Sequence, residues 1–343
     1  MKPQTTPLET ILVTGGAGFI GSNFIHYWMK KHQGDRIINL DKLTYAGNLD
    51  NLKEVEDNPN YHFVKGDICD KNLVNHLVKD ADIIVHFAAE SHNDRVNLDP
   101  EIAIHTNFIG THVLLDAAHR NGDIRFHHIS TDEVFGHLET KEGFFSEETP
   151  YNPRSFYPAS KAASDYWVRA YFSIKGLPVT ISNCSNNFGP YQHVEKVIPL
   201  FVTNLIEGKK VPLYGDGSNI RDWLYVIDHC RAIELIIRRG KIGETYNIGT
   251  NYEVANVDLT MKLLDLLGRD ESSIKRVKDR KGHDWRYAID AAKLKSELGW
   301  EPEYRFNEAL ERTVDWYRTN EWWWKKLKNE EFYEYCRQHY KES

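Results

Sequence analysis

A tyrosine and a lysine four residues apart, Tyr157 and Lys161, form a pair that can move a proton. This spacing places both side chains on one face of a helix. A free tyrosine has a pKa of about 10, so its use as a base near neutrality requires a nearby positive charge. Lys161 would supply that charge. Position in the fold has to identify the acting pair, because the same spacing recurs at Tyr27/Lys31, Tyr61/Lys65 and Tyr171/Lys175.

The surroundings of Tyr157 favour it over the other three tyrosines. Pro158 follows it, and proline is favoured in the first turn of a helix, where its missing amide hydrogen costs little. That helix comes after the fifth predicted strand. We therefore expect Tyr157 at the mouth of the helix, facing a bound cofactor.

A glycine-rich segment near the start of the chain has the spacing of a dinucleotide-binding loop. Thr14-Gly15-Gly16-Ala17-Gly18-Phe19-Ile20-Gly21 fits both Gly-x-x-Gly-x-x-Gly and Gly-x-Gly-x-x-Gly. The glycines allow a tight turn and close approach of a pyrophosphate, which the amide groups and positive end of the next helix bind. Asp41, 20 residues beyond Gly21, can accept hydrogen bonds from both ribose hydroxyls. These features predict NAD, with NADP as an alternative because Lys42 adjoins Asp41.

The elements that must position these residues form an α/β pattern. Short apolar segments separated by helical patterns predict strands at Ile11–Thr14, Arg36–Leu40, Tyr61–Lys65, Ile83–Phe87, Arg125–Ile129 and Val179–Asn183. This alternation predicts a Rossmann-type, doubly wound parallel sheet with a smaller C-terminal α+β substrate-binding lobe. A helix at Trp223–Arg239 and a strand at Glu244–Gly249 are expected to rejoin the sheet. We therefore assign 1–183 and about 223–250 to the NAD-binding domain, and about 184–222 and 251–343 to the lobe.

Composition limits the classes of partner. The chain has 343 residues and a net charge of -7, which argues against broad binding to nucleic acid. Met1–Thr10 has no apolar core, so we predict neither signal peptide nor anchor and expect a cytoplasmic protein.

The four cysteines lack zinc spacing, so we predict reduced, structural thiols and no metal. Glu321–Tyr340, rich in Trp, Tyr, Lys and Glu, predicts a packed terminal helix or, alternatively, a membrane-surface helix.

Taken together, the glycine loop, Asp41 and the Tyr157/Lys161 pair resemble the extended short-chain dehydrogenase/reductase (NAD-dependent epimerase/dehydratase) family, which acts on nucleotide sugars. The resemblance covers nearly the whole chain. Within the family, Ser130-Thr131-Asp132-Glu133-Val134-Phe135-Gly136 resembles the signature of 4,6-dehydratases.

The resemblance implies specific catalytic roles. Glu133 would remove the C5 proton of the sugar, and Asp132 would protonate the departing C6 hydroxyl. Thr131 and Tyr157 would hydrogen-bond the C4 oxygen during hydride transfer, and the hydride would return to C6, so the enzyme would formally be a lyase. Consecutive strand residues point to opposite faces, so the two carboxyl groups can share a site only if a turn begins there. A solvated acidic turn is the alternative.

The resemblance also implies the remaining binding residues. For NAD these are Gly15, Gly18, Phe19, Ile20, Gly21, Asp41, Lys42, Leu43, Thr44, Asp67, Ile68, Phe87, Ala88, Ala89, Ser91, Thr106, Tyr157, Lys161 and Asn187. For the substrate they are Ser91, Thr131, Asn186, Glu195, Lys196, Val197, Pro212, Tyr214, Arg221, Asn256, His283 and Tyr287. Arg221 is expected to grip phosphate oxygens through two hydrogen bonds. His283 rests on the resemblance, with an ordinary loop histidine as the alternative.

Overall resemblance favours dTDP-glucose as the nucleotide-sugar substrate and a homodimer as the assembly. A deoxysugar for surface polysaccharide is the implied end product. An epimerase, decarboxylase or dehydratase acting on a UDP-, GDP- or CDP-sugar is the nearest alternative, and a non-catalytic NAD sensor that binds a partner protein is a remote one. The chain departs from the usual family wording at Asn93, Val96, Phe135, Phe156 and Pro158.

Overall fold

The structure is a computed structural model that describes residues 8–279 and 283–340. Residues 1–7 of the segment predicted to be neither signal peptide nor anchor lie outside the described residues. The strands are β1 Thr10–Thr14, β2 Arg36–Asp41, β3 Tyr61–Lys65, β4 Ile83–His86, β5 Arg125–Thr131, β6 Val179–Cys184, β7 Asn186–Phe188, β8 Val211–Tyr214, β9 Ile220–Tyr225, β10 Thr245–Ile248, β11 Glu253–Ala255 and β12 Ile274–Val277.

The α-helices alternate with the strands over the first half of the chain. They are α1 Phe19–Lys31, α2 Lys71–Val78, α3 Asn93–Leu98, α4 Pro100–Ala103, α5 Thr111–Arg120, α6 Phe156–Lys175, α7 Val197–Ile206, α8 Val226–Arg239, α9 Asn256–Leu266, α10 Ala292–Leu298, α11 Phe306–Thr319, α12 Glu321–Leu327 and α13 Glu330–His339. A π-helix, Ile104–Gly110, joins α4 to α5.

The main sheet has seven strands in the order β10-β6-β5-β4-β1-β2-β3. The pairing is parallel between β1 and both β2 and β4, between β2 and β3, and between β4 and β5. The predicted doubly wound parallel sheet is confirmed. The direction of the strand order reverses between β1 and β4, and ligands of such sheets bind at the carboxyl ends of the strands beside this point.

Continuous apolar runs explain why these segments form central strands. Ile11, Leu12 and Val13 of β1 are fully buried, as expected for a parallel sheet covered on both faces. The six strands predicted from the sequence begin and end within one or two residues of those observed.

The segment predicted as one helix from Trp223 is a strand followed by a helix. Trp223, Leu224 and Tyr225 belong to β9, which pairs with β7 and β11, and α8 begins only at Val226. The prediction was wrong for these three residues, whose large side chains are buried in a three-stranded sheet. The strand predicted at Glu244–Gly249 is observed as β10, at the edge of the main sheet beside β6.

The described chain divides into two compact units. The first contains the described residues of Met1–Val134, Ser155–Asn183 and Ile233–Tyr246, and the second those of Phe135–Arg154, Cys184–Ala232 and Asn247–Ser343. This grouping places 135–154 in the second unit, because backbone bridges pair Leu138 with Arg286 and Phe145 with Ile289. The domain boundaries inferred from the sequence stay a prediction.

The C-terminal segment forms two helices, α12 and α13, rather than one. Trp323 and Trp324 of α12 and Phe332 of α13 are buried in the core of the second unit. The indole N–H of Trp324 donates a hydrogen bond to the carbonyl of Tyr317 at 2.8 Å. These apolar side chains are therefore used in packing rather than held for a membrane surface. Within residues 8–279 and 283–340, no helix is long and apolar enough to cross a membrane.

Candidate active site

The glycine loop follows β1 directly and leads into α1. Gly15 has a φ of +71°, and a Cβ at this position would lie 2.6 Å from the amide nitrogen of Ala88. A Cβ at Gly21 would lie 2.4 Å from the carbonyl oxygen of Gly15, so the start of α1 packs closely on the loop. Gly18 caps α1 without a side-chain hydrogen bond. The backbone therefore forms a cradle that only glycine permits, at the positive end of a helix, where a pyrophosphate fits.

Asp41 ends β2 beside this loop and is 8% exposed. Its Oδ2 accepts a hydrogen bond from the amide of Ala17 at 2.9 Å, and its Oδ1 accepts one from the amide of Leu43 at 2.8 Å. Burial raises the pKa of Asp41, and the two amide hydrogen bonds oppose this effect. Each carboxylate oxygen can accept a further bond, so the group is positioned to receive ribose hydroxyls.

Lys42 has a partner on the neighbouring loop. Its Nζ lies 2.8 Å from Oδ2 of Asp67, which follows β3. Burial works against ionisation of Asp67, but hydrogen bonds from Lys42 and from the amide of Cys69 hold its pKa below the ordinary value. This pairing weakens the case for NADP, which requires a cation for its additional phosphate.

Most of the predicted NAD residues lie at the carboxyl ends of four neighbouring strands. Asp41 to Thr44 follow β2, Asp67 and Ile68 follow β3, and Phe87 to Ser91 follow β4, all beside the glycine loop after β1. Thr106 lies in the π-helix, a rare element that is frequent at functional sites. Asn187 is the exception, because it belongs to β7 in the second unit. Its Oδ1 lies 2.9 Å from Nδ1 of His229, and its Nδ2 donates to the carbonyl of Ser185 at 3.0 Å.

The loop after β4 is fixed by Asn107. The amide of Glu90 donates to Oδ1 of Asn107 at 2.8 Å, and Nδ2 of Asn107 donates to the carbonyl of Glu90 at 3.1 Å and to Oγ of Ser160 at 2.8 Å. Ser160 in turn donates to the carbonyl of Tyr157 at 2.7 Å. One buried asparagine thus joins the loop to the first turn of α6.

The acidic pair stands at the point where β5 ends. Thr131 is the last strand residue, and a 3₁₀ turn over Asp132–Phe135 begins directly after it. The turn required by the sequence analysis is therefore present, and the strand alternation that would separate the two carboxyl groups is broken. Asp132 is 2% exposed, so a solvated acidic turn does not describe it.

Glu133 is held by a residue that the sequence analysis treated only as a departure from the family pattern. Nδ2 of Asn93 donates to Oε2 of Glu133 at 2.9 Å, and Oδ1 of Asn93 accepts from Oγ of Ser155 at 3.0 Å. Ser155 is the N-cap of α6. Asn93 therefore fixes the carboxylate relative to the helix that carries Tyr157, and only the contact across 40 positions reveals this role.

Tyr157 and Lys161 lie on the buried face of α6, which begins at Phe156, so Pro158 lies in its first turn as the sequence predicts. Tyr157 is 9% exposed and packs with Val96 and Ala103. Lys161 is 2% exposed, and its Nζ lies 3.2 Å from Nε2 of His128 in β5.

The pair Tyr27/Lys31 shows that spacing alone does not create such a site. There, Lys31 Nζ donates to the hydroxyl of Tyr27 at 3.1 Å, but Glu234 contacts both side chains. Burial and then the Glu234 carboxylate raise the pKa of Tyr27 to about 12. This environment suppresses the phenolate.

Arg221 is held rigidly in the second unit. Its guanidinium donates to the carbonyls of Ile220 at 2.7 Å, Asp284 at 2.9 Å and Trp285 at 3.3 Å. It lies over the ring of Tyr287, 4.5 Å from the centroid, and the Tyr287 hydroxyl donates to the Asp284 carboxylate. The neighbouring Arg286, which the sequence groups with the substrate segment, instead forms a buried ion pair with Glu253 and is structural.

The other predicted substrate residues of the second unit occupy several elements. Tyr214 ends β8, and its ring contacts that of His283 at 5.9 Å between centroids. His283 Nδ1 lies 2.7 Å from Oδ1 of Asp279. Asn256 begins α9, and its amide donates to the carbonyl of Asn219. The rest lie in β7, in or just before α7, and in β8: Asn186, Glu195, Lys196, Val197 and Pro212.

Within the described residues, no group of three or more His, Cys, Asp or Glu side chains could hold a metal ion. None of the four cysteines, all of them described, forms a disulfide.

Comparison with known proteins identifies the family. A family model described as GDP-mannose 4,6 dehydratase matches residues 12–313. A dTDP-glucose 4,6-dehydratase of Mycobacterium tuberculosis is 51% identical over 321 residues, which are 93% of this chain and 96% of that protein. The chain belongs to the dTDP-glucose 4,6-dehydratase family.

Two further proteins are similar to this chain over nearly its whole length. The crystal structure of DesIV, a dTDP-glucose 4,6-dehydratase of Streptomyces venezuelae with NAD and TYD bound, is 50% identical with a TM-score of 0.91 and covers 93% of this chain and 100% of its own. A low-salt glycan biosynthesis protein of Haloferax volcanii is 52% identical over 308 residues, 90% of this chain and 98% of that protein. The dehydratase family therefore extends over nearly the whole sequence.

Proposed function

We propose that this protein is an NAD-dependent dTDP-glucose 4,6-dehydratase, which converts dTDP-glucose into dTDP-4-keto-6-deoxyglucose and water. The observation that carries the proposal is the turn at the end of β5, which presents Asp132 and Glu133 in the same unit as the glycine loop and the Tyr157/Lys161 pair. Relatives about 50% identical, named dTDP-glucose 4,6-dehydratase, support it.

The residues at the sheet edge suit NAD as the cofactor. The Gly15 and Gly21 cradle would hold the pyrophosphate, and Asp41 would accept ribose hydroxyls. Bound NAD supplies a hydride acceptor that is restored within each turnover.

The chain's own groups then move the protons. Tyr157, with its phenolate favoured by the Lys161 charge, accepts the proton of the C4 hydroxyl while Thr131 hydrogen-bonds the same oxygen. The C4 ketone acidifies the C5 hydrogen, which Glu133 removes as a proton, and Asp132 protonates the C6 hydroxyl, which leaves as water. Glu133 returns its proton to C5 as C6 is reduced, and the proton gained at Tyr157 balances the one lost from Asp132.

The nucleotide portion is proposed to bind to the second unit. Arg221, stacked on Tyr287 and fixed by three carbonyl groups, presents a positioned cation for a diphosphate. Asn186, Glu195, Lys196, Val197, Pro212, Tyr214, Asn256 and His283 complete the proposed set. The preference for thymine over uracil rests on the names of the relatives. The two bases differ by one methyl group, which contributes only about 1–3 kcal/mol to discrimination in binding.

We also propose a homodimer in which α6 faces its copy. Phe156, Ala159, Ala163, Tyr166 and Trp167 form an apolar, exposed stripe with helical spacing, opposite the buried face of α6 that carries Tyr157 and Lys161. Two small residues within the stripe allow close helix approach. A cytoplasmic location and a role in deoxysugar synthesis, with dTDP-rhamnose as the end product, complete the proposal.

Incubation of the purified protein with dTDP-glucose, followed by mass spectrometry, tests the function. We expect loss of one water without added NAD, or with NAD supplied if the cofactor is lost during purification. Glu133→Gln should abolish product, whereas the exposed Glu139→Gln should not change the rate. An isomer of unchanged mass would favour an epimerase and contradict the roles of Asp132 and Glu133.

A further inference from the structure

A group of buried polar side chains lies behind Lys161, and none of the steps above uses it. Lys161 is 2% exposed, and burial disfavours an ammonium group. The proposed function requires that ammonium group to be charged, because a cation beside Tyr157 favours its phenolate. A negative partner is therefore needed inside the first unit.

Asp165 has the position and burial of that partner. It lies one helical turn beyond Lys161 on α6, where side chains four residues apart share a face, and it is fully buried. Its Oδ2 accepts a hydrogen bond from Oγ of Ser130 at 2.7 Å. The serine fixes the carboxylate from β5.

His128 lies between Lys161 and Asp165. Its Nε2 lies 3.2 Å from Nζ of Lys161 and 3.2 Å from Oδ1 of Asp165, so the two charges are within two hydrogen-bond lengths of each other. Oγ of Ser164 is 3.3 Å from the same nitrogen. Burial, followed by the Lys161 charge, lowers the pKa of His128 well below its ordinary value, so the ring is neutral at pH 7. The negative charge that Lys161 requires therefore has to come from Asp165.

His86 of β4 is a further titratable group that faces His128, at 5.2 Å between ring centroids. Thr111 donates its hydroxyl to the carbonyl of Asn107 at 2.6 Å, so Nε2–H of His86 donates to Thr111 at 2.9 Å and Nδ1 accepts from Thr14 at 2.7 Å. Burial, and then His128, lowers the pKa of His86 as well. His86 and His128 are therefore both neutral and add no charge beside Lys161 and Asp165.

We propose that Asp165 and His128 are positioning residues for the reaction, which balance the charge of Lys161 and hold its side chain so that it stabilises the Tyr157 phenolate. This inference rests on the proposed function of Tyr157 and Lys161. Neither residue touches the reacting atoms, and both act through the lysine. Removal of the Asp165 charge favours neutral Lys161, and Tyr157 then requires a higher pH to ionise.

The test is a tyrosinate titration followed by ultraviolet absorbance, with saturating NAD and no sugar nucleotide. The chain has 18 tyrosines, so the titration of Tyr157→Phe is subtracted to isolate the signal of Tyr157. We expect Asp165→Asn to raise the Tyr157 midpoint by about one pH unit or more. The acid limb of the pH profile of kcat should move upward by the same amount.

His127→Gln is the matched control. His127 is equally buried in the same strand, but its ring contacts Thr180 at 2.9 Å and Ser182 at 3.2 Å, both in β6. The His127→Gln variant should leave the titration midpoint of Tyr157 unchanged, whereas His128→Gln should raise that midpoint. A folded Asp165→Asn protein with an unshifted midpoint would overturn the proposal.

Asp165→Asn can prevent folding, because it leaves a buried charge without its counterpart. In that case Ser130→Ala tests the proposal, because it keeps the Lys161 and Asp165 side chains and removes only the hydrogen bond to Oδ2 of Asp165. A smaller upward shift supports the proposal, and no shift contradicts it. The titration contains no dTDP-glucose, so it tests this inference alone. The mass-spectrometric assay tests dehydration, and the two proposals can therefore fail independently.

Discussion

At the scale of single residues, the site depends on neutral groups that orient the charged ones. Asn93 and Asn107 take no part in the proposed chemistry, yet one holds Glu133 and the other holds the loop after β4 against α6. The acidic pair and Tyr157/Lys161 can be predicted from the sequence because their members are close in the chain. The asparagines cannot, because their partners lie 17 to 62 positions away.

Asn93→Ala should slow water elimination more than oxidation at C4. The Glu133 carboxylate loses a hydrogen bond worth about 1.5 kcal/mol or more, which corresponds to roughly a tenfold lower rate. Tyr157 and Lys161 are unaffected, so enzyme-bound NADH should accumulate after mixing with dTDP-glucose, as followed by stopped-flow absorbance. Asn75→Ala, which removes an exposed bond within α2, is the control. Equal rates in both variants would contradict the role of Asn93.

At the scale of elements, the places where strands end determine what the site can bind. The strands themselves follow from apolar runs, and their bounds could be predicted closely. The sequence prediction failed at Trp223 to Tyr225, because buried aromatic residues suit a strand and a buried helix alike. It also missed the pairing of 138–145 with 286–289, which joins segments distant in sequence.

Gly15→Ala should weaken NAD binding by about tenfold or more, because the added Cβ would displace the Ala88 backbone at the edge of the cradle. Binding can be measured by calorimetry on the apoprotein. Gly122→Ala is a matched control, since Gly122 also has a positive φ of +102° but has nothing within 4 Å of an added Cβ. Both variants should lose stability through backbone strain of about 1 kcal/mol. Similar NAD affinities in the two variants would contradict a role for the Gly15 backbone in binding NAD.

At the scale of the whole molecule, the exposed stripe of α6 is the feature that a monomer does not explain. Helices of soluble proteins expose single apolar residues commonly, but a row of them with helical spacing indicates an interaction surface. The sequence itself predicts the helix. It predicts the pairing of α6 with its copy only through family resemblance, because the exposure of a side chain is a property of the folded chain.

Trp167→Glu should convert the proposed dimer into a monomer, because it places a charge within the apolar stripe. Light scattering after gel filtration measures the mass directly. Trp322→Glu is the control, because Trp322 of α12 is 45% exposed and Trp167 is 40% exposed. A monomeric wild-type protein, or a dimer that survives Trp167→Glu, would argue against this interface.

The sheet order has a consequence for synthesis of the protein on the ribosome. β6, buried along its whole length, has β10 as its outer neighbour, and β10 is made only at Thr245–Ile248. A nascent chain that has already formed the inner strands would present an unpaired edge for roughly ten seconds at ordinary elongation rates. Such an edge invites pairing with other chains. Yield in cells should therefore depend on chaperones that bind the growing chain in this interval.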